Sequence, residues 1–188
     1  MENVELTLIV GGMFSGKSSE LQRQGKRHML RGHKVLFLKP NIDTRYSEDE
    51  IVTHDGRKVK AENVQCNDLF YESIGDDVDV VLIDEIQFFE ASILTNVNKL
   101  LRKGIRVYCA GLDLDFKGRP FGTTPYLMAQ ADKIIKLHAV CDKCGGDAWK
   151  TSRKTDNTEL VSLGEKESYY PICRKCYYKS LEEEKCEN

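Results

Sequence analysis

No stretch of the 188 residues approaches the roughly 18 consecutive apolar positions that a membrane-spanning helix requires. Met1-Glu2-Asn3 does not begin a secretory signal, so a cytoplasmic location is expected and no membrane partner. An internal repeat and a low-complexity tract are both missing. Charge of one sign is missing too. Against 28 Lys and Arg stand 30 Asp and Glu, and the net −2 argues against a general nucleic-acid surface. The four histidines are scattered, and each reads as a surface or core residue rather than a ligand. Cysteine is the exception at seven, but without an export signal the thiols are expected to be reduced. Hydrophobic residues at 40% and charged ones at 31% suit a soluble globular protein with one main domain and a small appendage.

What is present is organised around Leu8-Ile9-Val10-Gly11-Gly12-Met13-Phe14-Ser15-Gly16-Lys17-Ser18. An apolar run suited to a short buried strand leads into Gly-x-x-x-x-Gly-Lys-Ser, the spacing of a phosphate-cradling P-loop. Glycines permit the tight turn that converges several backbone N–H groups on one anionic site. A helix beginning near Lys17 or Ser18 adds the positive end of its dipole. Lys17 is then placed for the β- and γ-phosphates of a nucleoside triphosphate, and the Ser18 hydroxyl for Mg²⁺. Gly11, Gly12, Met13, Phe14, Ser15, Gly16, Lys17 and Ser18 are the candidate nucleotide-binding residues.

Ser18 to about Leu30 is rich in helix formers, and Gly32 is placed to close that helix. Lys34 to Pro40 reads as a second buried strand, which makes a βαβ unit and predicts a parallel, doubly wound sheet. The polar segment from Asn41 to about Arg57 follows the carboxyl end of that strand, where open α/β sheets bind ligands; it holds Asp43-Thr44-Arg45-Tyr46. A short helix over Asp68–Ser73 precedes an apolar strand that ends in Asp84-Glu85, a Walker B arrangement. The Asp can hold the Mg²⁺ that Ser18 contacts, and the second carboxylate can take a proton from an attacking oxygen. Ile93, Leu94, Val97, Leu100 and Leu101 form the apolar stripe of a helix over Ala91–Lys103. Ile105–Ala110 is the next strand, and Gly111–Gly122 beyond it should line the same crevice. Phe116 and Phe121 there are candidates for an aromatic wall against a flat base, or ordinary core aromatics. Thr124–Ala131 reads as a helix and Lys133–His138 as a strand.

The composition then changes. Cys141-Asp142-Lys143-Cys144 and Cys173-Arg174-Lys175-Cys176 are two Cys-x-x-Cys pairs separated by 28 residues. Four thiolates complete a tetrahedral Zn²⁺ site with no open position, so the metal would be structural. A redox pair is the competing reading, disfavoured by two copies in one small module. Cys66, Cys109 and Cys186 read as plain thiols. These features predict an α/β fold, with a P-loop NTPase-like parallel sheet flanked by helices and a zinc-ribbon-like module. The boundaries fall at 1–138 for the core, 139–178 for the module and 179–188 for a polar, fraying tail.

Asp84-Glu85 alone does not separate an ATPase that activates water for a macromolecular partner from a small-molecule kinase that deprotonates a hydroxyl. Size favours the kinase, with the zinc module beside the crevice as a lid that excludes water. A nucleic-acid-binding zinc ribbon would need a basic face. Lys143, Lys150, Arg153, Lys154, Arg174 and Lys175 suggest one, but acidic residues interleave.

Taken together, the P-loop with its Met-Phe-Ser, Asp43-Thr44-Arg45-Tyr46, Ile83-Asp84-Glu85-Ile86-Gln87-Phe88-Phe89, Gly111-Leu112-Asp113, Arg119-Pro120-Phe121-Gly122 and the cysteine pairs resemble one family. It is that of the cytosolic-type thymidine kinases, which join a P-loop core to a zinc-bearing lasso. The resemblance runs in order over about residues 6 to 178. It implies transfer of the ATP γ-phosphoryl to the 5′-hydroxyl of thymidine, with deoxyuridine a further substrate. Glu85 would be the general base, Lys17 and Arg45 would stabilise the transferring phosphoryl, and Ser18 and Asp84 would hold Mg²⁺. Asp84, Glu85 and Gln87 thereby join the nucleotide-binding set, and Asp43 and Gln87 would lie near the deoxyribose. Met13, Leu112, Phe116, Phe121, Thr151 and Tyr169 would surround the thymine, and Leu160, Ser162 and Gly164 of the lasso would grip it largely through backbone. Gly12 stands where many members carry Pro, which should loosen the start of the P-loop. The family also implies a homotetramer and feedback inhibition by thymidine triphosphate.

Overall fold

The structure, a computed structural model, describes residues 4–41, 50–52, 58–153 and 169–186. Its centre is β1 (Leu6–Val10), all five residues of which are buried because neighbours cover it on both edges and both faces. The core continues through α1 (Lys17–Met29), β2 (Val35–Pro40), β3 (Glu50–Val52), β4 (Lys58–Lys60) and β5 (Glu62–Val64). Next come β6 (Val80–Ile83), α2 (Ser92–Arg102), β7 (Arg106–Gly111), α3 (Thr124–Gln130) and β8 (Lys133–Lys136). Short 3₁₀ turns at Phe70–Glu72 and Ile86–Phe88 flank β6. Six strands form one sheet in the order β5-β2-β6-β7-β1-β8, and every pairing in it is parallel.

Period-two alternation sends successive side chains to opposite layers. Leu8 and Val10 of β1, with Val81 and Ile83 of β6, join the α2 and α3 side around Ile93, Val97, Leu100 and Leu127. Ile9, Val80 and Leu82 join the α1 side with Leu21 and Phe37. Each fully buried Leu or Ile of this kind contributes about 1.5–3 kcal/mol relative to exposure. Helix α1 lies close on β2: a side chain at Gly25 would come 2.3 Å from Cζ of Phe37. Gly32 (φ 82°) ends the turn after α1, as its position suggested. In α2 the apolar stripe faces the sheet, and Asn96 shares its buried side. Its amide donates to the Asp68 carbonyl at 2.8 Å and accepts from Tyr71 N–H at 3.1 Å, pinning the 3₁₀ turn onto the helix. Cys109 is wholly buried in β7, and burial drives its thiol pKa far up.

Three local expectations differ. The helix over Asp68–Ser73 is a single 3₁₀ turn. The polar segment after Pro40 leads into an antiparallel pair, β3 with β4, and then the edge strand β5. These strands are three residues long and rich in Glu and Lys, so they give no apolar run to read. The tail is not a separate frayed segment as far as residue 186. Helix α4 (Arg174–Cys186) starts inside the second cysteine pair and continues through it, because Ser180 to Lys185 contains neither Gly nor Pro.

Beyond β8 lies the cysteine module, built from β9 (Lys150–Arg153), β10 (Tyr169–Ile172) and α4. The two strands pair antiparallel, Lys150 opposite Ile172 and Arg153 opposite Tyr169. Ala139, Cys141, Ala148 and Ile172 form its small core, and Phe14 of the P-loop packs against it.

Candidate active site

The P-loop begins where β1 ends. Gly11 has φ 148°, and a side chain there would lie 2.2 Å from the Leu137 carbonyl oxygen, so glycine is required where the chain leaves the strand. Gly16 (φ 84°) turns the chain into α1, whose first bond runs from Glu20 N–H to the Gly16 carbonyl at 2.9 Å. Phe14 adopts the left-handed region with a full side chain (φ 65°), a strain of order 1–3 kcal/mol that its packing on the cysteine module helps to hold. The Ser15 hydroxyl and the Lys17 ammonium each donate to the Gly12 carbonyl at 2.8 Å. Burial lowers the pKa of Lys17, while Glu85, Asp84 and Asp113 pull the other way.

Strand β7 lies between β1 and β6, so the Walker B carboxylates approach the P-loop past the end of β7. Gly111 closes that strand, and a side chain there would meet Cγ1 of Ile86 at 2.5 Å and Oε1 of Gln87 at 2.6 Å. Asp84 is buried and accepts a hydrogen bond from the Ser18 hydroxyl, joining the two motifs. Burial, reinforced by the Glu85 charge, pushes its pKa up to about 7. Glu85 is left-handed (φ 53°), which turns its side chain out of the strand direction at a conformational cost typical of functional sites. Its N–H donates to Oδ1 of Asp84 at 2.9 Å, and its carboxylate accepts from Nε2 of Gln87. Gln87 Oε1 in turn accepts from Leu112 N–H at 2.9 Å. Both ends of that amide are engaged, so Gln87 orients Glu85 and fixes the start of the Gly111–Gly122 loop.

Asp115 folds the loop on itself: its carboxylate accepts the N–H groups of Lys117 and Arg119 and the Nε–H of Arg119, each at 2.9 Å. The two aromatics of the loop part company. Phe121 is buried edge-on against Phe88, ring centroids 6.1 Å apart, and serves the packing of the Glu85 turn. Phe116 is half-buried, and the Arg153 guanidinium carbon lies 4.3 Å from its ring centre. Arg153 also reaches the Tyr169 hydroxyl. Asp113, buried beside the P-loop lysine, pairs with Lys136 at 2.8 Å.

Thr151 meets the P-loop itself, its Oγ1 accepting Met13 N–H at 2.7 Å. A side chain at Gly12 would lie 3.0 Å from the same oxygen, so the glycine gives β9 room to approach. Of the residues expected around the site, Lys17, Ser18, Asp84, Glu85, Gln87, Met13, Leu112, Phe116, Thr151 and Tyr169 fall in this connected region. Asp43, Arg45, Leu160, Ser162 and Gly164 lie outside the described residues.

The Sγ atoms of Cys141, Cys144, Cys173 and Cys176 all lie within 4.8 Å of one another, and Cys144 and Cys173 are 3.6 Å apart. Zn–S bonds of about 2.3 Å set tetrahedral sulfur separations of about 3.8 Å, so the cluster fits zinc. Burial opposes a thiolate at Cys141, but backbone N–H groups of Cys173, Lys143 and Cys144 outweigh it and bring the pKa down to about 6. The buried Asp84 and the Ser18 hydroxyl offer hard oxygen donors that fit Mg²⁺, and a cation would relieve the charge that burial disfavours.

A family model described as thymidine kinase matches residues 4–177. Thymidine kinases of two strains of Bacteroides fragilis are each 43% identical over 182 residues, covering 96% of this chain and 90% of theirs. The chain belongs to the thymidine kinase family. It is therefore an ATP-dependent nucleoside kinase of the P-loop class. Among solved structures, the ATP-gammaS-bound genome packaging NTPase of Sulfolobus turreted icosahedral virus 2 superposes with TM-score 0.48 at 17% identity, over 74% of this chain and 77% of that one. AMPPCP-bound DnaA from Aquifex aeolicus gives 0.42 at 15%, over 70% and 40%. Likenesses this remote carry no argument about substrate.

Two residues of the site gave no local signal in the sequence. Lys150 and Arg153 stood there only as members of a basic set, yet both turn inward to the Phe116 loop. Thr151, expected at the thymine, is engaged by the P-loop backbone.

Proposed function

We propose that this kinase transfers the γ-phosphoryl group of ATP to the 5′-hydroxyl of thymidine, yielding thymidine monophosphate and ADP in pyrimidine salvage. The observation that carries the chemistry is the convergence of Lys17, Asp84 and Glu85 at the carboxyl ends of β1 and β6. Glu85, oriented by Gln87, takes the hydroxyl proton as that oxygen attacks the γ-phosphorus, and ADP carries away the bond electrons. Lys17 exchanges its internal bond to the Gly12 carbonyl for the phosphates. Ser18 and Asp84 would hold Mg²⁺, which supplies charge neutralisation at the β- and γ-phosphates. Arg45 adds positive charge at the transferring group and Asp43 contacts the sugar, both on the strength of the family resemblance.

The thymine lies between the Leu112–Phe116 stretch and the zinc module, near Met13 and Tyr169, and the family resemblance adds Leu160, Ser162 and Gly164 as its contacts. Phe121, packed edge-on against Phe88, borders the same pocket. Zinc on the four cysteines is structural and holds β9 and β10 in place. The reading extends to deoxyuridine as a second substrate, a cytoplasmic homotetramer and inhibition by thymidine triphosphate, all inherited from the family.

A coupled assay of ADP release from Mg·ATP on zinc-replete protein tests this. ADP is expected only with thymidine present, matched by thymidine monophosphate. Steady ADP without nucleoside would instead make Glu85 a water-activating residue and overturn the reading.

A further inference from the structure

Lys150 is a buried lysine with 2% of its surface exposed, an expensive position for an ammonium group. Its Nζ donates to the Phe116 carbonyl at 2.8 Å and stands 3.7 Å from the centre of the Tyr177 ring on α4. The turn over Asp115–Arg119 comes so close that a side chain at Gly118 would lie 3.2 Å from Trp149 and 3.5 Å from Cδ of Lys150. One strand position further, Thr151 holds the P-loop through Met13. Successive residues of β9 thus grip the Phe116 loop and the P-loop, and the chain entering β9 is tied to β10 of the cysteine module by Trp149 N–H donating to the Ile172 carbonyl at 2.9 Å.

We propose that Lys150 is a positioning residue that couples the zinc module to the base pocket, its charged amine latching the Phe116 loop against helix α4 so that the loop is preformed for thymidine. The proposal rests on the reading that the Phe116 loop lines that pocket. The latch is electrostatic as well as steric. The aromatic face of Tyr177 and the Phe116 carbonyl both favour a cation, and the Asp115 carboxylate supports it from the loop. Other charges around it are Arg119 and Lys117 on the loop, Arg153 on β9 and Arg174 on α4, with Arg119 already neutralised by Asp115. Burial brings the Lys150 pKa down to about 8, with Asp115 opposing, so the latch weakens as pH passes that value.

The test is Lys150→Met, which keeps the length and apolar stem but removes donor and charge, with Phe116→Ala as a control for the pocket. In Lys150→Met the KM for thymidine at pH 7 rises about tenfold, while the KM for ATP, kcat and bound zinc stay near the wild-type values. The ratio of the two enzymes' thymidine KM values falls as pH climbs past about 8, because the wild-type amine then loses its charge and keeps only a neutral hydrogen bond. An ionisation of thymine itself appears in both enzymes and cancels. An unchanged thymidine KM in Lys150→Met, with Phe116→Ala raising it, overturns the latch alone. Phe116→Ala without effect overturns the pocket assignment beneath it. A ratio independent of pH, or a parallel loss of zinc and ATP affinity, makes Lys150 a packing residue and also overturns the proposal.

Discussion

The Met13 N–H points at Oγ1 of Thr151, 2.7 Å away, and this bond joins the phosphate loop to a strand of the cysteine module 138 residues later in the chain. Thr151→Ala leaves that half-buried donor without its partner, at about 1–3 kcal/mol. The expected result is a rise of about tenfold or more in the KM for ATP, with Thr151→Ser close to wild type. Steady-state kinetics on both variants decides it. An unaltered ATP KM in Thr151→Ala would show that the P-loop is set independently of the module.

Glu85→Gln removes the acceptor for the hydroxyl proton but keeps the shape of a side chain already bonded to Gln87. Turnover should fall by about 10²–10⁴ while ATP binding persists. Near-normal turnover in the variant would place the base elsewhere or make positioning sufficient.

Removing zinc should abolish thymidine binding although none of the four cysteines is an expected substrate contact. Cys173 is central, lying 3.6 Å from Cys144 and giving its N–H to Cys141. Cys173→Ser should lose both the metal and thymidine affinity, measured by metal analysis and calorimetry. Unchanged thymidine affinity in a zinc-free variant would separate the module from the substrate site.

Asp84 predicts a pH effect of definite sign. Its folded pKa of about 7 exceeds the ordinary value of 3.8, so the folded state binds this proton more tightly than the unfolded chain does. Stability from the group is fully present below 3.8 and is lost as pH rises through about 7. Asp84→Asn, free of that charge, should melt higher than wild type at pH 8 in zinc-replete protein without magnesium, at about 2–4 °C per kcal/mol. The gap should narrow at pH 5, and Mg-dependent turnover should be lost throughout. A variant that melts lower at pH 8 would mean the carboxylate is stabilising when charged.

What could be read ahead of the structure was whatever lies contiguous in the chain. The P-loop, Asp84-Glu85 at a strand tip and the two cysteine pairs each carry their chemistry within a few residues, and each sits where its pattern places it. The α2 stripe was equally plain, since a helix buries every third or fourth residue whatever its partner. Three things were hidden. Strands β3 to β5 are short and charged, so no periodicity marks them. Phe116 and Phe121 looked alike, and only their different neighbours, Arg153 and Phe88, tell the half-buried ring from the buried one. Lys150 was invisible because its meaning lies in a carbonyl 34 residues upstream and a ring on another element. Helix α4 ran on because nothing in its sequence stops it.

Cys109 sits in the middle of the strand that separates the phosphate loop from the Walker B carboxylates, wholly enclosed and with its thiol held protonated by burial. Reagents that consume thiolates can reach it only when the sheet itself comes apart. Its slow labelling therefore acts as an internal clock for global opening of the core, distinct from the four clustered cysteines of the module. The half-buried Cys66 labels ahead of Cys109, so the slow phase is read after that labelling is complete.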